Sequence, residues 1–182
     1  MRKYDAVFFD LDGTLSESGE GILWCVRRTI EDLKIVVPEN FRLESFIGPP
    51  LADSFYRLGL DDEKVKLGVK TYKSYYDTKG KYMNKAYDGI KELLERLREK
   101  GYKLGVATSK YELFARQIID NIGLLQYFDF VSGATANAER QKKIDVLNYG
   151  IKNLGATPEN SALIGDTKFD AEGARLCGWG LF

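Results

Sequence analysis

Four apolar residues, Ala6-Val7-Phe8-Phe9, run directly into Asp10-Leu11-Asp12-Gly13-Thr14-Leu15. A continuous apolar tetrad bounded by a glycine-containing turn has the pattern of a strand buried on both faces, as in a parallel sheet. Buried strands exclude charge, so two carboxylates at the carboxyl end of this one require a partner or a task. Ligands of open α/β sheets bind beyond that end of the strands. The spacing puts Asp10 at the strand tip and Asp12 in the turn, where Gly13 permits a tight backbone.

Composition narrows the chemistry. Among 182 residues, 27 Lys plus Arg balance 27 Asp plus Glu. No net field draws the chain to nucleic acid or to an acidic membrane. Histidine is absent. That removes Ser-His-Asp and Cys-His hydrolysis and most zinc catalysis, and leaves acid and base work to carboxylates or lysine. Cys25 and Cys177 have neither metal-ligand spacing nor a disulfide framework. The apolar runs are far too short to span a bilayer, and Met1-Arg2-Lys3-Tyr4-Asp5 leads into the first strand without a secretory signal. A cytoplasmic protein is expected, built as one domain or as a core with a small inserted cap.

Strands then alternate with helices, the pattern of a parallel sheet. Residues 16–84 interrupt this with helical periodicity and no convincing strand. Ile22, Leu23, Val26, Ile30 and Leu33 share one helical face. Gly48-Pro49-Pro50 breaks the chain before a helix over 51–58. A further helix opens at Asp61-Asp62-Glu63, acids that favour the positive end of its dipole. The expected division is an α/β core of 1–15 and 85–182 around a helical cap of 16–84. In the core, Asp88 is expected to cap a helix that ends at Gly101. Strands follow at 102–107, 127–131 and 161–165, with helices at 111–121, 142–154 and 168–176.

Three later segments carry chemistry at strand ends. Ala107-Thr108-Ser109-Lys110 closes the second core strand in two hydroxyls, which suit a phosphate oxygen at Thr108 and a helix N-cap at Ser109. Lys142 and Lys143 open a helix whose dipole disfavours cations there; the pair is either simply solvated or held for a task. Ile164-Gly165-Asp166 repeats the strand–Gly–Asp pattern. Asp170, four residues on, can face the same side as Asp166 once the helix begins.

Together, Asp10-Leu11-Asp12-Gly13-Thr14, Thr108-Ser109, Lys143 and Gly165-Asp166…Asp170 resemble, in order, the four motifs of the haloacid dehalogenase-like hydrolase superfamily. Phe46-Ile47-Gly48-Pro49-Pro50-Leu51 and Ala107-Thr108-Ser109-Lys110 are similar to its phosphoglycolate phosphatase and 5′-nucleotidase-like branch, which carries a class I helical cap. The resemblance implies a Rossmann-like parallel α/β sheet with an inserted cap. It also implies a magnesium-dependent phosphatase acting on a small phosphorylated metabolite through an aspartyl-phosphate. Asp10 is then the nucleophile and Asp12 the general acid and base. Thr108, Ser109 and Lys143 bind phosphate; Lys143 aligns better than Lys142 because Ile144-Asp145-Val146-Leu147 matches the family's next residues. Asp10, the Asp12 carbonyl and Asp166 hold Mg2+, Asp170 orients that shell, and Gly48 and Pro49 form a candidate substrate loop. A 5′-nucleotidase, a sugar phosphatase or a phosphomutase are alternatives within the superfamily, and a phosphoacceptor signalling domain is one outside it. The family core continues past Gly178 with another strand and helix, so the C-terminal edge strand is expected to be missing or vestigial here.

Overall fold

A computed structural model describes residues 3–135 and 139–182. Met1 and Arg2, read above as the lead into the first strand, lie outside the described residues. In chain order the strands are β1 (Ala6–Phe9), β2 (Ser16–Glu17), β3 (Lys85–Ala86), β4 (Lys103–Tyr111), β5 (Phe130–Ala134), β6 (Ser161–Ile164) and β7 (Gly180–Leu181). The helices are α1 (Gly19–Asp32), α2 (Leu51–Arg57), α3 (Asp62–Thr78), α4 (Ile90–Glu99), α5 (Glu112–Asn121), α6 (Lys143–Leu154) and α7 (Lys168–Cys177). The chain divides into two compact units: Met1–Glu17 with Lys85–Phe182, and Ser18–Asn84.

The first unit is the α/β body. Its five-stranded parallel sheet has the order β5-β4-β1-β6-β7. The strand first in sequence is therefore central in space, and the order reverses beside it. This is the switch point at which such sheets leave a crevice. All four β1 residues are buried, as their apolar run requires. Phe8 is fully buried against the Trp179 ring, at 4.9 Å between centroids. Glycines make room for it: a Cβ at Gly150 would lie 2.8 Å from the Phe8 ring, and one at Gly105 would collide with it.

Several expectations need correction. The edge strand is present but only two residues long: β7 pairs in parallel with β6 through Ala162↔Gly180 and Leu163↔Leu181, and Phe182 N donates to the Leu163 carbonyl at 3.0 Å. A strand this short carries no hydrophobic period to read. Residues 16 and 17 also form a strand, because Ser16 and Glu17 pair antiparallel with Ala86 and Lys85 and clasp the two chain crossings. The strand expected at 127–131 begins at Phe130; Leu125–Tyr127 is a 3-10 turn, and Phe128 sets its ring against Phe9 instead. Asp88 caps nothing. Gly89, at φ 82°, is the N-cap of α4, a left-handed backbone that favours glycine.

The second unit is helical. Asp61 caps α3 by accepting from Lys64 N at 2.9 Å, and the acids Asp62 and Glu63 follow in its first turn. Phe46 and Phe55 meet edge to face at 5.1 Å, and Phe55 packs beneath Gly68, where a Cβ would sit 3.2 Å from its ring. Gly48 and Pro49 belong to this unit, between the 3-10 turn Leu43–Phe46 and α2; Gly48 has φ 100°. No helix of the described residues is long and apolar enough to cross a membrane.

Gly105→Ala should destabilise the α/β body by about 1–3 kcal/mol, the usual cost of overpacking a filled core. A clearly lower denaturation midpoint is expected. An unchanged midpoint would mean that Phe8 yields without cost.

Candidate active site

Four carboxylates and two lysines converge where β1, β4 and β6 end. Lys143, the first residue of α6, is buried, and Gly173 of α7 lies against its stem; a Cβ there would be 2.9 Å from Lys143 Cγ. Its Nζ lies 2.9 Å from Asp10 Oδ1 and 2.6 Å from Asp170 Oδ1, and donates to the Ala107 carbonyl at 2.8 Å. Lys142 is the exposed N-cap residue one position earlier. Burial and ion pairs thus single out Lys143 from the lysine pair. Desolvation that would weigh heavily on a lone buried ammonium is offset by two carboxylates and a carbonyl.

Asp170 is fully buried and serves two structures at once. As the third residue of α7 it completes a capping box with Thr167: its Oδ2 accepts from Thr167 N at 3.0 Å and from Thr167 Oγ1 at 2.5 Å. Its Oδ1 faces Lys143. Asp166 stays exposed, with Oδ1 accepting from Thr14 Oγ1 at 3.3 Å. The motif glycines follow from these carboxylates. A side chain at Gly13 would collide with the Asp166 carboxylate, and one at Gly165 with Asp170.

Asp10, Asp166 and Asp170 each offer an oxygen such that all three lie within 4.8 Å of one another. Hard carboxylate oxygens in this number suit a hard divalent cation such as Mg2+. Asp170 already serves Lys143 and Thr167, so Asp10 and Asp166 are the carboxylates better placed to bind one. The Asp12 carboxylate is not part of that group. Its Oδ2 pairs with Lys110 Nζ at 3.0 Å, while its buried Oδ1 has no hydrogen-bond partner among the described residues.

Lys110 is the site residue that the sequence reading quoted without assigning a role. It lies on β4, which runs on to Tyr111 rather than ending at Ala107. The β4–β5 register slips between Ala107 and Tyr111, and Gly133 accommodates the irregular stretch, since a Cβ there would be 2.7 Å from the Lys110 carbonyl. Thr108 is buried, and its Oγ1 accepts from Lys110 N at 3.2 Å. Ser109 is exposed and does not cap α5. That helix starts at Glu112, behind Tyr111, without a side-chain cap. Gly48 and Pro49 lie in the helical unit.

Burial pushes the Asp10 carboxyl up to about 6 against the pull of Lys143, and the neighbouring charge of Asp170 adds to the rise. Negative charge exceeds positive here, with four carboxylates to two ammonium groups. The result is a site short of cations, whose central acid is costly to ionise.

These features belong to a known class of α/β hydrolases. The family model for haloacid dehalogenase-like hydrolases matches residues 7–180, and the chain belongs to that family. It is 36% identical over 181 residues to the tyrosine-protein kinase PtkA of Mycobacterium tuberculosis, spanning 96% of this chain and 62% of that protein. Over 173 residues it is 36% identical to a 5′-nucleotidase of Pseudomonas aeruginosa, covering 94% and 78% of the two chains. A solved haloacid dehalogenase-like hydrolase from Streptococcus pneumoniae superposes with a TM-score of 0.90 at 34% identity, covering 100% of this chain and 84% of that one. The chain therefore spans less than two thirds of the mycobacterial relative.

Two stability outcomes follow. A carboxyl held above its unfolded value of 3.8 binds its proton more tightly in the fold. This contribution is full below that value and is lost as pH rises through about 6. In chelator, Asp10→Asn should therefore melt higher than the wild type near neutral pH and show a flatter rise on acidification; parallel curves would contradict this. Lys143→Met leaves Asp10 and Asp170 buried without their shared cation. It should cost about 3–5 kcal/mol in chemical denaturation. A loss well below that range would mean that the lysine does not balance them.

Proposed function

We propose that the chain is a Mg2+-dependent phosphatase of small phosphomonoesters. The observation that carries this reading is Lys143 between Asp10 and Asp170, with Asp166 beside them, at the sheet's switch point in a member of this hydrolase family. Asp10 is the only one of the four acids at the tip of the central strand. In this reading its carboxylate attacks phosphorus, the ester P–O bond breaks, and an aspartyl-phosphate forms. Asp12, two residues on, gives a proton to the leaving oxygen. It then takes one from the water that releases phosphate and restores Asp10.

Lys143 and the Thr108 hydroxyl offset charge on the equatorial phosphoryl oxygens, and exposed Ser109 is a weaker candidate for that task. Mg2+, held by Asp10, Asp166 and the Asp12 carbonyl and oriented through Asp170, would supply the positive charge that the cluster lacks. The 5′-nucleotidase relative favours a 5′-nucleotide as substrate, and a phosphoglycolate phosphatase of Aquifex aeolicus, 29% identical over 174 residues, favours another small phosphate ester. The kinase name of the mycobacterial relative fits a related scheme. Asp10 would take the phosphoryl group from a nucleoside triphosphate as the P–O bond to the leaving diphosphate breaks. In the second half a tyrosine hydroxyl would replace water as the acceptor, giving up its proton to Asp12. The location of the protein in the cytoplasm remains part of this proposal.

Phosphate release should be abolished by Asp10→Asn and by excess chelator, and restored to the wild type by Mg2+. Asp166→Ala should lose more activity than Asp170→Ala if only Asp166 touches the metal. A screen of small phosphoesters that counts inorganic phosphate, run beside a count of phosphotyrosine on a tyrosine peptide, separates hydrolysis from transfer. Wild-type turnover by Asp10→Asn would overturn the covalent scheme.

A further inference from the structure

We propose that Lys110 is a positioning residue for proton transfer at Asp12, and that Asp12 Oδ1 is the oxygen that carries the proton. The inference rests on the phosphatase reading and adds a residue to it. The Asp12 carboxylate has two unequal oxygens. Oδ2 is paired with Lys110 Nζ at 3.0 Å, whereas Oδ1 is buried and has no hydrogen-bond partner among the described residues. An acid–base carboxylate must present one oxygen in one rotamer, and on a turn residue such as Asp12 nothing in the local backbone guarantees that. An ion pair to one oxygen fixes the plane of the group and leaves the other to exchange the proton.

The lysine is itself held for this. Its backbone N–H donates to Thr108 Oγ1 at 3.2 Å, its side chain is only 13% exposed, and the irregular stretch of β4 that carries it is seated on Gly133. Thr108 and Lys110 thereby link the phosphate-facing hydroxyl to the acid through one turn of strand. In the first half-reaction the bond from phosphorus to the ester oxygen breaks as the bond to Asp10 forms. The proton on Asp12 Oδ1 passes to the leaving oxygen, and the resulting carboxylate stays anchored by Lys110 through Oδ2. In the second half, water adds to phosphorus, its proton returns to Oδ1, and the bond from phosphorus to Asp10 breaks.

Leaving-group dependence tests this, because a 4-nitrophenolate departs without a proton and an alkoxide does not. With Mg2+ present, kcat/KM reports the first half-reaction only. It is measured for 4-nitrophenyl phosphate and for an alkyl phosphate in the wild type, Lys110→Met and Lys110→Arg. The methionine variant should lose at least about tenfold more kcat/KM on the alkyl ester than on the aryl ester. Arginine, which can reach the same oxygen with a cation, should recover part of that difference. Equal losses on both esters would make Lys110 a substrate-binding or structural group and overturn the proposal. Lys110→Ala gives the same reading if the methionine variant melts early. Wild-type protein that turns over neither ester would instead sink the phosphatase reading, and this inference with it.

Discussion

One buried ammonium holds the working end of the sheet together. Lys143 Nζ binds the carbonyl that ends the regular part of β4, the carboxylate at the tip of β1, and the carboxylate that caps α7 after β6. Three chain segments, distant in sequence, meet at a single positive charge. Without it, Asp10 and Asp170 would be two like charges in a site that excludes water, which costs several kcal/mol. The surroundings are shaped to this contact: Gly173 admits the lysine stem, Gly165 admits Asp170, and Gly13 admits Asp166.

The same arrangement explains why the site wants another cation. Lys143 is shared between two acids, and Lys110 is engaged by Asp12; among the described residues Asp166 takes only a long hydroxyl contact from Thr14. An unbalanced acid cluster lowers stability, and an incoming divalent ion converts that deficit into binding energy. In the proposed phosphatase, a bound divalent ion would recover the stability given up at Asp10, an arrangement common where charge is kept for chemistry.

Much of this was legible in the sequence because it rests on short-range patterns. The apolar tetrad before Asp10 reads as a buried central strand, and Gly165-Asp166 with Asp170 reads as a second acid-tipped strand running into a helix. What escaped depended on contacts across elements. The choice of Lys143 over Lys142 rests on the family resemblance through Ile144-Asp145-Val146-Leu147; no periodicity reports which of two adjacent lysines turns inward, and here it is Lys143. The pairing of Lys110 with Asp12 was hidden by ending β4 at Ala107. Lys110 instead lies within β4, in the irregular stretch between Ala107 and Tyr111. Ser109 resembled a helix cap, but the resumed pairing of Tyr111 with Ala134 keeps the chain extended past it. β7 is two residues long and gains its place from β6, not from its own propensity.

The central claim is that Lys143 and the four acids form a metal-binding phosphoryl site at the tip of β1. Anomalous diffraction from crystals soaked in Mn2+, a hard cation that can stand in for Mg2+, tests it most directly. The account predicts one strong peak within bonding distance of carboxylate oxygens of both Asp10 and Asp166, with Lys143 still bridging Asp10 and Asp170. A peak elsewhere, or a cluster that stays free of metal at saturating Mn2+, would contradict it.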